Sequence, residues 1–329
     1  LIEGAEAGGT NGVVSGFSSR THAPKETSMP HDHASRILDV GDIRLQVIEA
    51  GPSDGEPVIL LHGFPEFWWG WHKQIPVLAD AGFRVVALDC RGYGGSDAPP
   101  NVEAYRLDRL VDDVMACAAT LGLTRFNLVG HDWGGIIAFA VAARNPVSVT
   151  RLVVLNAPHL DVMKPFLRSN PSQLLRSAYV GFFQLPGVPE VLLSARDFRL
   201  LSRALTGTSR PGTFEEKDLE RYRGEWARPG RLHAMLNYYR ALVRRPARPL
   251  GRIVPPTMIL WGCKDHALDT GLAHQSLLQC TNGRMHSHRG ATHWIQHEEP
   301  AWVNDHLIRF LSEDQELERP GPGLADETI

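Results

Sequence analysis

The chain has 329 residues, with 34 Lys+Arg against 37 Asp+Glu for a formal charge of −3. That length is too great for a small binding module and suits one catalytic core carrying a large insertion. Hydrophobic residues at 43% and charged residues at 22% exclude a disordered chain, and no apolar run approaches the roughly 18 residues of a membrane span. The near-neutral charge gives no general reason to expect a nucleic-acid partner. Cys90, Cys117, Cys263 and Cys280 form neither C-x-x-C pairs nor a dense framework and read as buried free thiols. No basic segment followed by an apolar one opens the chain, so a reducing, cytoplasmic setting is the default expectation.

Residues 1–34 are rich in Gly, Ser and Thr and read as a flexible tail or an expression remnant, with Met29 a candidate native start. His31 and His33 stand there without further ligands, which makes a poor metal site. Short β-branched runs then alternate with helical patterns, the signature of an α/β protein with a mainly parallel sheet. Strands are expected at 36–40 and 43–49, joined by a tight turn at Gly41-Asp42 into an antiparallel start, then at 58–61, 84–88, 126–129 and 149–155. Leu107, Leu110, Val111, Val114, Ala118 and Leu121 recur at three- and four-residue spacing, predicting a helix over 107–121 that buries one face. From 161 to 250 the strand rhythm gives way to helical patterns and Pro breaks, and it returns with strands at 257–261 and 283–288. The expected architecture is an α/β core of 35–160 and 251–316, with a helical cap at 161–250 over the sheet's carboxyl edge, where α/β ligands bind. A loose tail at 317–329 follows. The insertion holds 16 Lys+Arg and 8 Asp+Glu, a surplus of +8 that leaves −11 on the rest of the chain. The simplest reading of that surplus is a solvated arginine-rich face, and the sharper one is a surface for acidic partners or anionic membranes.

The most informative segment is F-N-L-V-G-H-D-W-G-G (126–135), followed by an apolar helix over 136–144. A strand entering Gly130-x-Asp132-x-Gly134 and then a helix matches a nucleophile elbow, in which small residues let a sharp turn hold one side chain above the sheet. The competing reading of Asp132 is a helix cap. Asp132 stands where a serine hydrolase has Ser, and that changes the available chemistry. A carboxylate of ordinary pKa about 3.9 is ionised at neutral pH and needs no base to attack a saturated carbon. The product is an ester on the enzyme, and a base is needed for water to cleave it.

The base should be a His on a loop after the last strand, with its orienting acid on an earlier one. His286 and His288 fall in the predicted final strand and His306 in the last helix. That leaves His293, in Gly290-Ala-Thr-His-Trp294, as the candidate and His297 as runner-up. Asp265 follows the strand at 257–261 and is the expected acid, with Asp269 the fallback or a helix cap. A carboxylate bonded to one imidazole nitrogen fixes the tautomer and leaves the other nitrogen to activate water. The oxyanion hole is expected from the N–H groups of Phe64, in Leu61-His62-Gly63-Phe64-Pro65, and of Trp133. Pro65 lies in a tight turn suited to a cis bond.

The ordered set H-G-F-P-E (62–66), R-G-Y-G-G-S-D (91–97), V-G-H-D-W-G-G (129–135), K-D-H-A-L (264–268) and H-W-I-Q (293–296) resembles the soluble-type epoxide hydrolases of the α/β-hydrolase fold, from about residue 36 to 311. Haloalkane dehalogenases are similar but typically have Gln before the nucleophile and Asn after H-G, where this chain has His131 and Phe64. Fluoroacetate dehalogenases typically have Arg where this chain has Trp133. The resemblance implies an epoxide and water as reactants, no metal or organic cofactor, and two cap tyrosines as acids. In Y-V-G-F-F-Q-L-P-G-V (179–188) and L-N-Y-Y-R (236–240) these correspond to Tyr179 and Tyr239, with Tyr238 competing for the second role. A neutral phenol of ordinary pKa about 10 can donate to the alkoxide that ring opening creates. Phe64, Trp133 and Trp294 are the expected substrate contacts, although core packing is the simpler reading of Trp294, as of Trp68, Trp69 and Trp71. His62, Arg91 and His131 read as supports for the surrounding loops. A dehalogenase and a non-catalytic ligand-binding relative of the fold are the alternatives. Oligomeric state stays open, a homodimer included.

Overall fold

Val, Ile and Leu fill the central strands on both faces, as a parallel sheet covered by helices requires. The structure, a computed structural model, describes residues 33–313. Met29, His31 and both expected tails, apart from residues 33 and 34, lie outside the described residues. The described residues form one eight-stranded sheet: β1 (Ala34–Asp39), β2 (Arg44–Ala50), β3 (Glu56–Leu61), β4 (Phe83–Leu88), β5 (Phe126–His131), β6 (Val149–Leu155), β7 (Thr257–Gly262) and β8 (Gly283–His288). The spatial order is β1-β2-β4-β3-β5-β6-β7-β8, with β2 antiparallel to both β1 and β4 and every other pair parallel. Each expected strand is present, and the antiparallel start is the hairpin that Gly41 turns with φ +99.

Helices cover both faces. Residues of α2 (Leu107–Thr120) and α3 (Trp133–Arg144) join one core cluster, whereas α1 (Ile75–Asp80) contributes Ile75 and Leu78 to the other. The α3 helix begins at Trp133, three residues before the expected start, because the elbow leads straight into its first turn. Phe139 in α3 is fully buried. The four cysteines are free thiols, but Cys263 is only partly buried, contrary to expectation, because it lies just past the end of β7.

β4 lies on one side of β3 and β5 on the other, so the chain reverses its direction of travel across the sheet there. A crevice opens at the carboxyl ends of strands at such a switch point. Between β6 and β7 run α4 (Leu160–Ser169), α5 (Pro171–Arg176), α6 (Ala178–Phe182), α7 (Val188–Thr208), α8 (Glu216–Trp226) and α9 (Arg231–Arg244). These helices reach the loops that leave the strands' carboxyl ends. The Trp226 indole donates to the Pro65 carbonyl at 2.6 Å, and the Tyr238 hydroxyl to that of Arg91 at 2.7 Å. On the β7 side, Gln173 donates to the Ala267 carbonyl at 2.8 Å. The chain resumes through α10 (Thr270–Leu277), α11 (Ile295–Glu298) and α12 (Pro300–Leu311). Among the described residues no helix is long and apolar enough to cross a membrane.

Truncating a buried aromatic leaves a cavity that its neighbours fill only in part. Phe139→Ala is expected to cost about 3–5 kcal/mol of stability, read as a lower denaturant midpoint.

Candidate active site

The turn after β5 places Asp132 at φ 51 and ψ −119, a conformation that non-glycine residues rarely adopt. Such geometry costs on the order of 1–3 kcal/mol and persists only where surrounding packing imposes it. Here the packing is close: a Cβ on Gly134 would stand 2.1 Å from the Leu61 carbonyl oxygen, and one on Gly130 would stand 2.3 Å from that of Gly134. The Asp132 carboxylate makes no capping bond to α3; its Oδ1 instead accepts from the Phe64 N–H at 2.8 Å. The capping alternative is therefore not what the side chain does. The Phe64–Pro65 bond is cis.

On the other side of Asp132 stands His293, whose Nε2 lies 3.6 Å from Asp132 Oδ2. The His293 Nδ1 donates to Asp265 Oδ2 at 2.7 Å, which leaves Nε2 directed at Asp132. Asp265 is held from all sides: Oδ1 accepts from the N–H groups of Ala267 at 2.7 Å and Leu268 at 2.9 Å. Burial opposes its charge, but the His293 imidazolium and these donors outweigh burial and hold its carboxyl below the ordinary range. Burial likewise opposes charge on His293, yet Asp265 and Asp132 together raise its pKa well above the ordinary value. Asp269 is a helix cap, accepting from the Gly271 N–H at 2.8 Å.

Tyr239 packs edge-on against Phe64 at 5.3 Å, Trp133 at 5.1 Å, Phe183 at 5.0 Å and Tyr179 at 5.7 Å between ring centroids. Tyr239 is 5% exposed, and its burial, then Tyr179 and the Asp132 charge, raise its pKa well above the ordinary phenol value; Tyr179 is 37% exposed over the whole residue, and desolvation of its ring among these aromatics, then Asp132, shift it in the same direction. Both are therefore neutral donors at neutral pH. Tyr238, the competitor, turns away and spends its hydroxyl on the Arg91 carbonyl. Trp294 is 4% exposed, and its indole donates to Thr208 Oγ1 at 2.9 Å, so the contacts it makes are with core and insertion together.

The histidines and arginine read as supports hold the loops. Burial lowers the His62 pKa to about 4, so the ring is neutral; its Nε2 accepts from the Cys90 N–H at 3.1 Å and its Nδ1 donates to the Gly63 carbonyl at 3.0 Å. Arg91 grips both oxygens of Asp113. His131 Nε2 donates to the His293 carbonyl at 2.9 Å, tying the elbow to the His293 loop.

Two features escaped the sequence reading. Asn156, at φ 40 past β6, donates to Asp265 Oδ2 at 2.7 Å and accepts from the Gly262 N–H at 2.9 Å, fixing the Asp265 carboxylate from behind. Glu66 is 1% exposed and accepts from Tyr222 of α8 and His297, each at 2.6 Å, and from Gln296 at 3.1 Å. Burial would raise its pKa, but His297 and then His131 hold it well below the ordinary carboxylate range. His297, the runner-up base, is thus committed to Glu66 and does not pair with Asp132.

The chain matches the family model described as alpha/beta hydrolase fold over residues 56–300. It is 41% identical over 278 residues to AB hydrolase superfamily protein YfhM of Bacillus subtilis (strain 168), covering 84% of this chain and 97% of that one. It is 36% identical to Epoxide hydrolase 4 of Homo sapiens, covering 90% of this chain and 84% of that one. The crystal structure of an epoxide hydrolase from Bacillus megaterium in complex with an inhibitor superposes with a TM-score of 0.76 at 31% identity, covering 84% of this chain and 100% of that one.

Removing Asn156 would strip Asp265 of a donor and orphan the buried Gly262 N–H. Asn156→Ala is expected to lower stability by about 1–3 kcal/mol in chemical denaturation. The elbow, the buried His293–Asp265 pair and the overall match agree: the chain belongs to the α/β hydrolase fold family, within its epoxide hydrolases.

Proposed function

We propose that this epoxide hydrolase works through an ester on Asp132, with residues 161–250 forming a cap that supplies the two acids. The observation that carries the reading is the placement of one carboxylate between the imidazole of an Asp–His pair, at 3.6 Å, and the Phe64 N–H, at 2.8 Å, with Tyr239 edge-on to the Phe64, Trp133 and Tyr179 rings. Asp132 attacks an epoxide carbon from the side opposite the C–O bond that breaks, while Tyr179 and Tyr239 donate to the departing oxygen and one phenol protonates it. The aromatic rings packed around Tyr239 lower the local polarity, which strengthens the hydrogen bonds of its phenol.

The second half-reaction follows from the charges. Asp132 is among the groups that raise the His293 pKa. Once Asp132 becomes a neutral ester, that contribution is gone while burial still disfavours the imidazolium, so the pKa falls and His293 becomes a base. The proton that His293 then gives up returns to the tyrosinate, directly or through solvent. His293, oriented by Asp265, takes a proton from water, the hydroxide attacks the ester carbonyl, and the Phe64 and Trp133 N–H groups hold the oxyanion. The tetrahedral intermediate collapses by breaking the ester C–O bond, the His293 imidazolium gives its proton to the departing alkoxide to complete the vicinal diol, and the Asp132 carboxylic acid passes its own proton back to His293, which restores the carboxylate.

Since Phe64 already donates to Asp132 Oδ1 at 2.8 Å, that donor is in place before charge develops. Phe64 and Trp133 also present rings beside Tyr239 and form walls for an apolar epoxide substituent. Trp294 acts from behind, packing against the His293 ring at 5.0 Å. The partners are thus a small-molecule epoxide and water.

The direct test is intact-mass analysis of His293→Gln after exposure to an aryl epoxide. Blocked hydrolysis leaves an adduct equal to the epoxide's mass, removable by Asp132→Asn; a folded variant that forms no adduct across a panel of epoxides contradicts the mechanism. In Tyr179→Phe/Tyr239→Phe, ring opening should slow by about 10²-fold or more in single-turnover assays, since each positioned acid contributes about 10²–10⁴-fold. The pH dependence has a definite sign. His293 must be neutral to act as base, so lowering the pH slows ester hydrolysis before it slows alkylation, and rapid-quench mass spectrometry should show the ester accumulating as the solution is acidified.

A further inference from the structure

Two cavities stand out. One, of about 610 Å³, is lined by Arg176, Arg210, Lys264 and Asp265, so it borders the proposed catalytic centre, and Arg210 is already paired with Glu298 and Glu299. The other is different in character. It encloses about 580 Å³ where the chain leaving α9 crosses the core, and Arg106, Arg144, Arg245 and Arg248 line it with Asp108 as the one acidic lining residue. Arg106 is engaged with Asp108 at 3.0 Å, and Arg245 with Glu103 at 2.8 Å. Among the described residues, Arg144 and Arg248 have no hydrogen-bond or ion-pair partner. Two uncompensated guanidinium groups therefore share one concave surface.

That arrangement is unfavourable when empty, because like charges repel, and it is relieved by an anion. The guanidinium fork presents paired N–H donors that match two oxygens of a tetrahedral oxyanion. Pro246 and Pro249 each follow one of the two arginines of the return segment and limit how far it can move to relax the repulsion. The cavity also meets the first turn of the 14-residue α2, where Arg106 offers no side-chain cap to the free N–H groups. Those groups add to the arginines and do not make the site by themselves. Its volume admits a diphosphate with an attached organic group.

We propose that the cavity lined by Arg106, Arg144, Arg245 and Arg248 is a binding site for a phosphate-bearing anion, separate from the epoxide site. The arginines come from two parts of the chain: Arg106 and Arg144 from the core, Arg245 and Arg248 from the segment that leaves α9. A bound diphosphate pins the insertion's exit to the start of α2 and the end of α3. Binding stiffens that junction and weakens with added salt.

Isothermal titration calorimetry of the full chain with inorganic pyrophosphate at low ionic strength tests this. The expected result is one saturable site per chain, weakened about tenfold or more in Arg144→Gln/Arg248→Gln, as loss of charge-assisted hydrogen bonds dictates. Both arginines are exposed and unpartnered, so the variant should keep the wild-type melting midpoint and basal epoxide turnover. Arg199→Gln/Arg203→Gln, which removes the same charge from α7, should bind pyrophosphate as the wild type does. Sedimentation with phosphatidylcholine vesicles containing phosphatidic acid separates the sources of the phosphate. Retention lost in Arg144→Gln/Arg248→Gln identifies a lipid headgroup, and pyrophosphate binding without vesicle retention identifies a soluble phosphate compound. Absence of saturable pyrophosphate binding together with absence of Arg144/Arg248-dependent retention overturns the site. Equal weakening in both double variants also overturns it, because bulk charge would then suffice.

Discussion

Everything in the proposed centre depends on a turn that the backbone adopts at a cost. Asp132 at φ 51 is paid for by its surroundings: β3 and β5 pair in parallel register through Leu61 and Gly130, and α3 departs at once with Gly134 against the Leu61 carbonyl. The strand that delivers the carboxylate and the strand that delivers the Phe64 donor are therefore neighbours because the sheet's order changes at that point. The position of the Asp132 carboxylate and that of the Phe64 N–H are one constraint, set by backbone packing at the elbow.

Around that turn the electrostatics are arranged as a relay of burial and charge. Asp265, Glu66 and His293 are each almost fully enclosed, where an isolated charge would cost several kcal/mol. Each is instead matched: Asp265 by His293, Asn156 and two backbone donors, and Glu66 by His297, Tyr222 and Gln296. The second cluster reaches the first through His131, whose ring sits against His293 at 4.7 Å and whose Nδ1 lies 3.5 Å from Glu66. A buried pair of this kind adds little net stability over apolar packing, but removing one member leaves the other stranded. Its value here is positional: Glu66 ties the loop after β3 to α8 and to the segment after His293 at the same time.

The sheet and the core residues of the centre were legible because their signals are local. Strand runs carry their own periodicity, and Asp132, Asp265 and His293 each sit in a short segment flanked by a strand end. What the sequence could not disclose depends on contacts between distant segments. Asn156 is 109 positions from Asp265 and Tyr222 is 156 from Glu66, and neither residue stands in a motif that marks it. Glu66 lay in plain sight within H-G-F-P-E, but its partners did not. The start of α3 was misplaced because Gly134 and Gly135 are poor helix formers by propensity, and tertiary packing overrode that preference. The break in α7, where Arg196, Asp197 and Phe198 take φ of 53 to 55, has no Gly or Pro to announce it. Phe198 at that break is buried against Trp226, so a distant aromatic contact accompanies the change of direction.

The surplus of positive charge in the insertion acquires a meaning only when each arginine is followed to its partner. Arg240, buried in α9, donates to the Phe183 and Leu185 carbonyls and to both oxygens of Glu190, so it closes the loop between α6 and α7 onto α9. Arg228 reaches the Gly94 carbonyl, Arg231 that of Ser96 and Arg176 that of Asp265, the last at 3.2 Å. Those carbonyls belong to core loops, so these three arginines fasten insertion to core through uncharged acceptors. Arg228 also pairs with Glu225 at 2.9 Å, but Arg231 and Arg176 need no acidic residue to balance them: a guanidinium satisfies several oxygens at once and stays charged when partly buried. A lysine at these positions would keep the charge and lose the fork. The solvated arginine face expected from composition is thus true of only part of the insertion. Part of its positive charge is structural, spent within the insertion and on its junction with the core.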